Sequence, residues 1–199
     1  MIGVIDYGAG NLFSVMNALR FLGLECGIVK EEAELRAADR LILPGVGAFP
    51  DAMDRLKKTG LDAVIQEECE HKPLLGICLG MQMLFEESEE YGTTKGLGLI
   101  PGRVVKMEEP GLKIPHMGWN EVHVENRCPL SEGVQEGDRF YFVHSYKAVT
   151  DPEYLSLTTQ YGGPVTGLVF RDQIYGAQFH PEKSGALGLA MLRRFGGLK

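Results

Sequence analysis

A chain of 199 residues with a formal net charge of -7 is poorly suited to binding nucleic acid through phosphate neutralisation. Its 44% hydrophobic and 24% charged residues suit a globular protein with a sizeable core, and no apolar run approaches the ~18 residues of a membrane span. Residues 1–8 lack the basic and apolar regions of a secretory signal. Cys26, Cys69, Cys78 and Cys128 form no C-x-x-C pair, so they read as free thiols in a reducing cytoplasm, with no disulfide framework, metal site or cofactor expected.

In chain order, residues 2–6 read as a strand. Residues 11–22 read as a helix, with Leu12, Val15, Met16, Leu19 and Leu22 at helical spacing, Asn11 as N-cap and Gly23 as stop. Residues 26–29 form a second strand, followed by a short acidic helix. Residues 40–43 form a third strand, running into the turn Pro44-Gly45-Val46-Gly47. A helical stretch follows over 50–69 with a break at Gly60, then a nearly all-apolar fourth strand over 73–77, as a strand covered on both faces requires. This alternation predicts an α/β fold with a doubly wound, mostly parallel central sheet and helices on both faces. In the second half, 104–106, 121–124, 140–143 and 169–179 read as shorter strands, partly antiparallel, added to that core; 185–195 closes the chain as a helix. No linker or repeat interrupts 1–199, which reads as a single domain.

The chemistry concentrates where the fourth strand ends, at Gly76-Ile77-Cys78-Leu79-Gly80-Met81-Gln82. The order Gly-x-nucleophile-x-Gly is that of a nucleophile elbow with cysteine in place of serine. A sharp strand-to-helix turn crowds its neighbours, and glycine at 76 and 80 removes the Cβ atoms that would collide. A thiol at a helix N-terminus is favoured as thiolate, and the Leu79 N–H faces the place where an oxyanion would form. The other three cysteines lack this setting and read as small buried hydrophobes.

A thiolate needs a base that later returns a proton to the leaving group. His71 lies in a charged run and His123 on the solvent face of a strand; His116 and His144 remain open. His180 is the strongest candidate, because Gln178-Phe179-His180-Pro181-Glu182 ends a strand and turns at proline, which lets Glu182 orient the imidazole. Gly8-Ala9-Gly10 is too short for a dinucleotide loop, since Phe13 stands where a third glycine is needed.

The elbow, the Gln178 to Glu182 run and the Pro44 to Gly47 turn together resemble the class I (triad) glutamine amidotransferases. Further resemblance lies in Asp6 to Asn11, Pro115-His116-Met117-Gly118-Trp119-Asn120, Tyr141-Phe142-Val143-His144-Ser145-Tyr146 and His180 to Ser184. These segments are similar to those of glutaminase subunits that serve histidine biosynthesis as heterodimers with a (βα)8-barrel cyclase, whose products are imidazole glycerol phosphate and an aminoimidazole carboxamide ribotide. The resemblance implies Cys78, His180 and Glu182 as catalytic residues and Gly45, Val46, Gly47 and Leu79 as oxyanion donors. It also implies Gly47, Gln82, Glu90, Ser145 and Tyr146 around glutamine, and Asn11, Met117, Trp119, Tyr141 and Lys183 at the partner surface. Trp119 is the only tryptophan, and interfaces favour Trp and Tyr. Glycines flanking Val46 would let a peptide turn its N–H toward or away from the oxyanion, making activity depend on the partner. The alternatives are a glutaminase serving another ammonia-using synthase, or a stand-alone cysteine hydrolase of related fold.

Overall fold

The computed structural model describes residues 1–108 and 111–198. The first half follows the expected alternation: β1 (Ile2–Ile5), α1 (Leu12–Phe21), β2 (Cys26–Val29), α2 (Glu32–Ala37), β3 (Arg40–Gly45), α3 (Phe49–Thr59), α4 (Leu61–Glu68) and β4 (Leu74–Cys78). Asn11 caps α1, its side chain accepting from Ser14 N–H at 3.4 Å. Gly60, at φ 71°, divides α3 from α4 at the expected break.

After the four-residue α5 (Leu79–Gln82) come β5 (Phe85–Ser88), β6 (Thr94–Lys95), β7 (Ile100–Lys106), β8 (His116–Val124) and β9 (Arg139–His144). Then follow β10 (Tyr146–Val149), β11 (Leu155–Gln160), β12 (Pro164–Arg171), β13 (Ile174–Ala177) and α6 (Gly185–Gly197). A nine-stranded sheet runs β2-β1-β3-β4-β13-β12-β11-β8-β9. Its first five strands are parallel, in doubly wound order, and the rest are antiparallel.

Successive β3 side chains serve opposite cores. Leu41 and Leu43 pack with Phe49, Met53, Leu56 and Ile65 of α3 and α4, whereas Ile42 packs with Val15 and Leu19 of α1 and with Leu192 and Phe195 of α6. With apolar side chains buried on both faces, the parallel strands have lost the polar alternation of half-exposed ones.

Two features depart from the sequence expectation. Residues 169–179 do not form one strand; Asp172, at φ 53°, turns the chain between β12 and β13, with Arg171 paired to Ile174. The strand read at 104–106 joins no parallel core either. It ends β7, in a separate four-stranded sheet ordered β10-β7-β5-β6. That sheet packs Phe85, Ile100, Val104 and Ala148 against the α3/α4 side of the core.

Candidate active site

Three adjacent parallel strands end together, with Gly45 of β3 opposite Cys78 of β4, and Ala177 of β13 opposite Ile77. Ligand sites of open α/β sheets form beyond such carboxyl ends. Cys78 closes β4 at φ 55°, ψ -111°, a strained conformation for a residue with a Cβ. Glycines make room for it. A Cβ on Gly80 would stand 1.9 Å from the Leu43 carbonyl oxygen, and one on Gly76 would stand 2.6 Å from that of Gly80. A Cβ on Gly45 would lie 2.5 Å from Gly80 N.

The helix after the elbow is a single turn, which leaves little aligned dipole for a thiolate and weakens that part of the sequence argument. Its shortness has a cause in hydrogen bonding. The carbonyls of Met83, Leu84 and Phe85 accept from the N–H groups of Leu97, Leu99 and Gly98 at 2.8–3.0 Å, so the chain is drawn into β5.

His180 follows β13, and its Nδ1 lies 2.8 Å from Glu182 Oε1. The two side chains are 4% and 0% exposed. Their loop is fixed by main-chain groups: His180 N–H donates to the Tyr141 carbonyl at 3.0 Å, and Ser184 Oγ donates to the His180 carbonyl at 2.7 Å. Burial opposes charge on His180. Its hydrogen-bonding interactions with the Cys78 sulfur and then with the Glu182 carboxylate outweigh that, holding its pKa up at about 9. Glu182 Oε2 is buried without a hydrogen-bond partner, which costs stability and fits a carboxylate kept for its charge.

With Glu182 buried behind the imidazole, Cys78 and His180 border a cleft of roughly 340 Å³. Val46, Gly47 and Leu79 line it beside Cys78, and Gln82, Glu90, Ser145, Tyr146 and Lys183 complete much of the wall. Gln82 Nε2 donates to the Tyr146 carbonyl at 3.1 Å and to Gln178 Oε1 at 2.9 Å. Gln178 Nε2 stands 3.9 Å from Cys78 Sγ. Glu90, itself buried, accepts from Phe49 N–H at 2.7 Å and so also holds the first turn of α3. The arrangement places a thiol, an imidazole–carboxylate pair and backbone N–H groups around one space, the set required for acyl transfer through a covalent intermediate.

The sequence matches the family model "Glutamine amidotransferase class-I" over residues 3–196. The chain belongs to the class-I glutamine amidotransferases. Within them it is 53% identical, over 98% of this chain and 93% of the relative, to imidazole glycerol phosphate synthase subunit HisH of Desulfitobacterium hafniense. The corresponding HisH of Listeria innocua is 50% identical over 98% and 94% of the two chains. A crystal structure of a glutamine amidotransferase superposes with a TM-score of 0.77 over 99% of both chains at 21% identity, which shows a shared fold. PurLQS from Thermotoga maritima contains a chain with a TM-score of 0.76 over 98% of this chain and 96% of its own, at 20% identity.

In this amidotransferase the four residues named as oxyanion donors occupy different situations. Gly45 is buried, and a Cβ there would collide with Leu79 and Gly80, whereas at Gly47, with φ 95°, a Cβ would meet only open space. Val46 is 46% exposed. Of the residues read as partner-facing, Met117 and Trp119 are 60% and 53% exposed, and Tyr141 meets Trp119 edge-on at 6.1 Å. Lys183 is exposed at the cleft. Asn11 is half-buried, its side chain occupied as the α1 cap.

Sequence reasoning gave no role to Tyr7 or Gln178 and left His144 open. Tyr7 donates to the Pro44 carbonyl at 3.0 Å, and burial, then the charge of Cys78, hold its hydroxyl above the usual range. The Gln178 signal was its place two residues before His180. His144 is buried beside the cleft with Nδ1 2.8 Å from the Tyr146 carbonyl; burial pushes its pKa down to about 3. His144 therefore stays neutral, and only pairing in space, absent from the sequence, distinguishes it from a surface histidine.

Proposed function

We propose that this chain hydrolyses L-glutamine to L-glutamate and ammonia through a thioester on Cys78. It hands the ammonia to the cyclase subunit of imidazole glycerol phosphate synthase, in histidine biosynthesis. One observation carries the reading: Cys78, strained at the end of β4, shares a cleft with the buried His180–Glu182 pair and with the Leu79 and Gly47 backbone. The relatives named HisH, near 50% identity over almost the whole chain, supply the pathway and the partner.

The thiolate attacks the amide carbon while the Leu79 N–H and one from the Val46–Gly47 segment take the oxyanion charge. His180, charged and oriented by Glu182, gives its proton to the departing nitrogen, so ammonia leaves and the thioester remains. A water deprotonated by His180 then attacks the thioester, releasing glutamate and the thiolate. Gln82, Glu90, Ser145 and Tyr146 hold the amino-acid end of glutamine.

Residues 1–199 act as one amidotransferase domain, in the cytoplasm, where a free nucleophilic thiol stays reduced. Met117, Trp119, Tyr141 and Lys183 form the surface that meets the barrel, and Asn11 lies beside it. The sealed contact keeps ammonia from being protonated and lost. Before docking, the Val46–Gly47 peptide turns its N–H away from the oxyanion, and the missing donor lowers turnover roughly 10²- to 10³-fold.

Glutamate formation is measured with the purified chain, alone and with the cyclase subunit of a relative plus its nucleotide ligand. Turnover should be low alone, rise at least tenfold in the complex and vanish in Cys78→Ala. Full turnover by the isolated chain would favour a stand-alone hydrolase and sink the partner-dependent reading. Trp119→Ala should weaken the complex about tenfold or more, as loss of a central aromatic anchor does. Unchanged affinity and ammonia transfer would remove Trp119 from the interface.

A further inference from the structure

Four buried polar side chains form a chain of contacts that ends at the nucleophile, and of these the proposed mechanism uses only Gln82. His116, His144, Gln82 and Gln178 are 0%, 6%, 4% and 0% exposed. His116 is stacked between Phe142, at 5.1 Å, and Tyr161, at 4.1 Å. Burying so many polar groups is costly unless each finds a partner, and here each does. His116 Nδ1 lies 3.1 Å from His144 Nε2, and His144 Nδ1 lies 2.8 Å from the Tyr146 carbonyl oxygen. That oxygen also accepts from Gln82 Nε2, which donates in turn to Gln178 Oε1, and Gln178 Nε2 ends the chain at Cys78 Sγ.

The polarity of this chain follows from a single fixed group. A carbonyl only accepts, so His144 donates from Nδ1 and, being neutral, has Nε2 as an acceptor. The same carbonyl obliges Gln82 to face it with its amide nitrogen. Both N–H bonds of that nitrogen are then spent inside the protein, and Gln82 Oε1 is left for the cleft. Gln178, receiving a hydrogen bond at Oε1, has only its own NH2 to offer the sulfur. With either glutamine amide reversed, oxygen would oppose oxygen or a thiolate.

Resting on the glutaminase reading above, we propose that His144 is a positioning residue of this site. By pinning the Tyr146 carbonyl, it makes Gln82 present an acceptor to the α-ammonium group of glutamine and Gln178 present a donor to the Cys78 sulfur. His144 does not touch substrate; it acts through the two amides.

The test uses substitutions that differ in where they place a donor. The amide nitrogen of asparagine falls where His Nδ1 stands, and that of glutamine falls nearer Nε2. Glutaminase kinetics of the complex with the cyclase subunit are measured for wild type, His144→Asn, His144→Gln, His144→Phe and Gln178→Glu. His144→Asn should keep kcat/KM within about threefold of wild type. His144→Gln and His144→Phe should lose about 10- to 100-fold, with a raised KM for glutamine, the range expected when buried partners go unmet. Gln178→Glu keeps the acceptor for Gln82 but removes the donor to sulfur, so it should lower kcat with KM nearly unchanged.

Equal kinetics for His144→Asn and His144→Gln would overturn the proposal, as would an unchanged KM in His144→Phe. The Asn and Gln variants remain decisive if the Phe variant does not fold. Failure of the underlying reading looks different: wild type itself would then show no turnover that depends on Cys78, and both ideas would fall together.

Discussion

At the scale of single residues, the site is a problem in holding a charge where water is scarce. His180 is buried, and burial alone would strip its proton; the Cys78 sulfur and Glu182 carboxylate return it and lift the titration to about 9. Because the sulfur is the first of the raising influences, Cys78→Ala should bring the His180 midpoint down from about 9 to near or below ~6.5, the ordinary imidazole value. NMR of the labelled ring reads this directly. A midpoint still near 9 in Cys78→Ala would show that Glu182 alone holds the charge and that the sulfur lies out of reach. Glu182→Gln should lower the midpoint as well, by a smaller amount.

At the scale of elements, the elbow exists because side chains are missing. Gly45, Gly76 and Gly80 let β3, β4 and the single turn of α5 approach to distances no Cβ permits. Gly80→Ala is the sharpest probe, because its methyl would overlap the Leu43 carbonyl oxygen, a backbone atom that cannot swing aside. Overpacking of this kind costs about 1–3 kcal/mol or more. Urea unfolding should show the midpoint falling with an unchanged slope, and glutaminase activity should fall with it; a variant as stable and active as wild type would refute the packing account.

The glycine spacing was legible in the sequence because the constraint is local, and so was the alternation of β1 through β4. The partnering of β13 with β4 was not legible. Nothing within residues 169–179 says that Asp172 breaks them into a hairpin, since Asp172-Gln173 lacks the glycine that marks such turns. The sheet of β5, β6, β7 and β10 was hidden for another reason. Residues 79–88 keep a helical composition, and only the distant segment 97–100 competes for the carbonyls of Met83, Leu84 and Phe85. Tertiary hydrogen bonding overrode local propensity there.

At the scale of the whole molecule, buried histidines of opposite behaviour should give the protein a stability maximum in a narrow pH window. His144 is held near 3 by burial, against the carbonyl hydrogen bond that works the other way, and burial also lowers His116. Between about 3 and about 6.5 the unfolded chain binds a proton at position 144 that the folded protein refuses, so stability rises with pH across that range. His180 has the reverse sign: its folded value near 9 exceeds the unfolded one, so its contribution is complete below about 6.5 and is lost as pH rises through about 9. The depressed carboxylates Glu67 and Glu68 act only at pH values below their ordinary range and leave this window untouched. Urea titrations at pH 5, 6.5 and 9 should place the maximum near 6.5. From pH 7 to pH 5 the loss attributable to His144 amounts to about 2 kcal/mol, one proton at 1.4 kcal/mol per pH unit with the midpoint region rounded off. His144→Asn removes that titrating group while keeping the donor to Tyr146, so its acid limb should be shallower by nearly one proton and its alkaline limb unchanged. Parallel acid limbs for the two proteins would mean that His144 already carries its proton in the folded state. His144 would then donate to His116 Nδ1 from Nε2, while its hydrogen bond to the Tyr146 carbonyl stayed as it is.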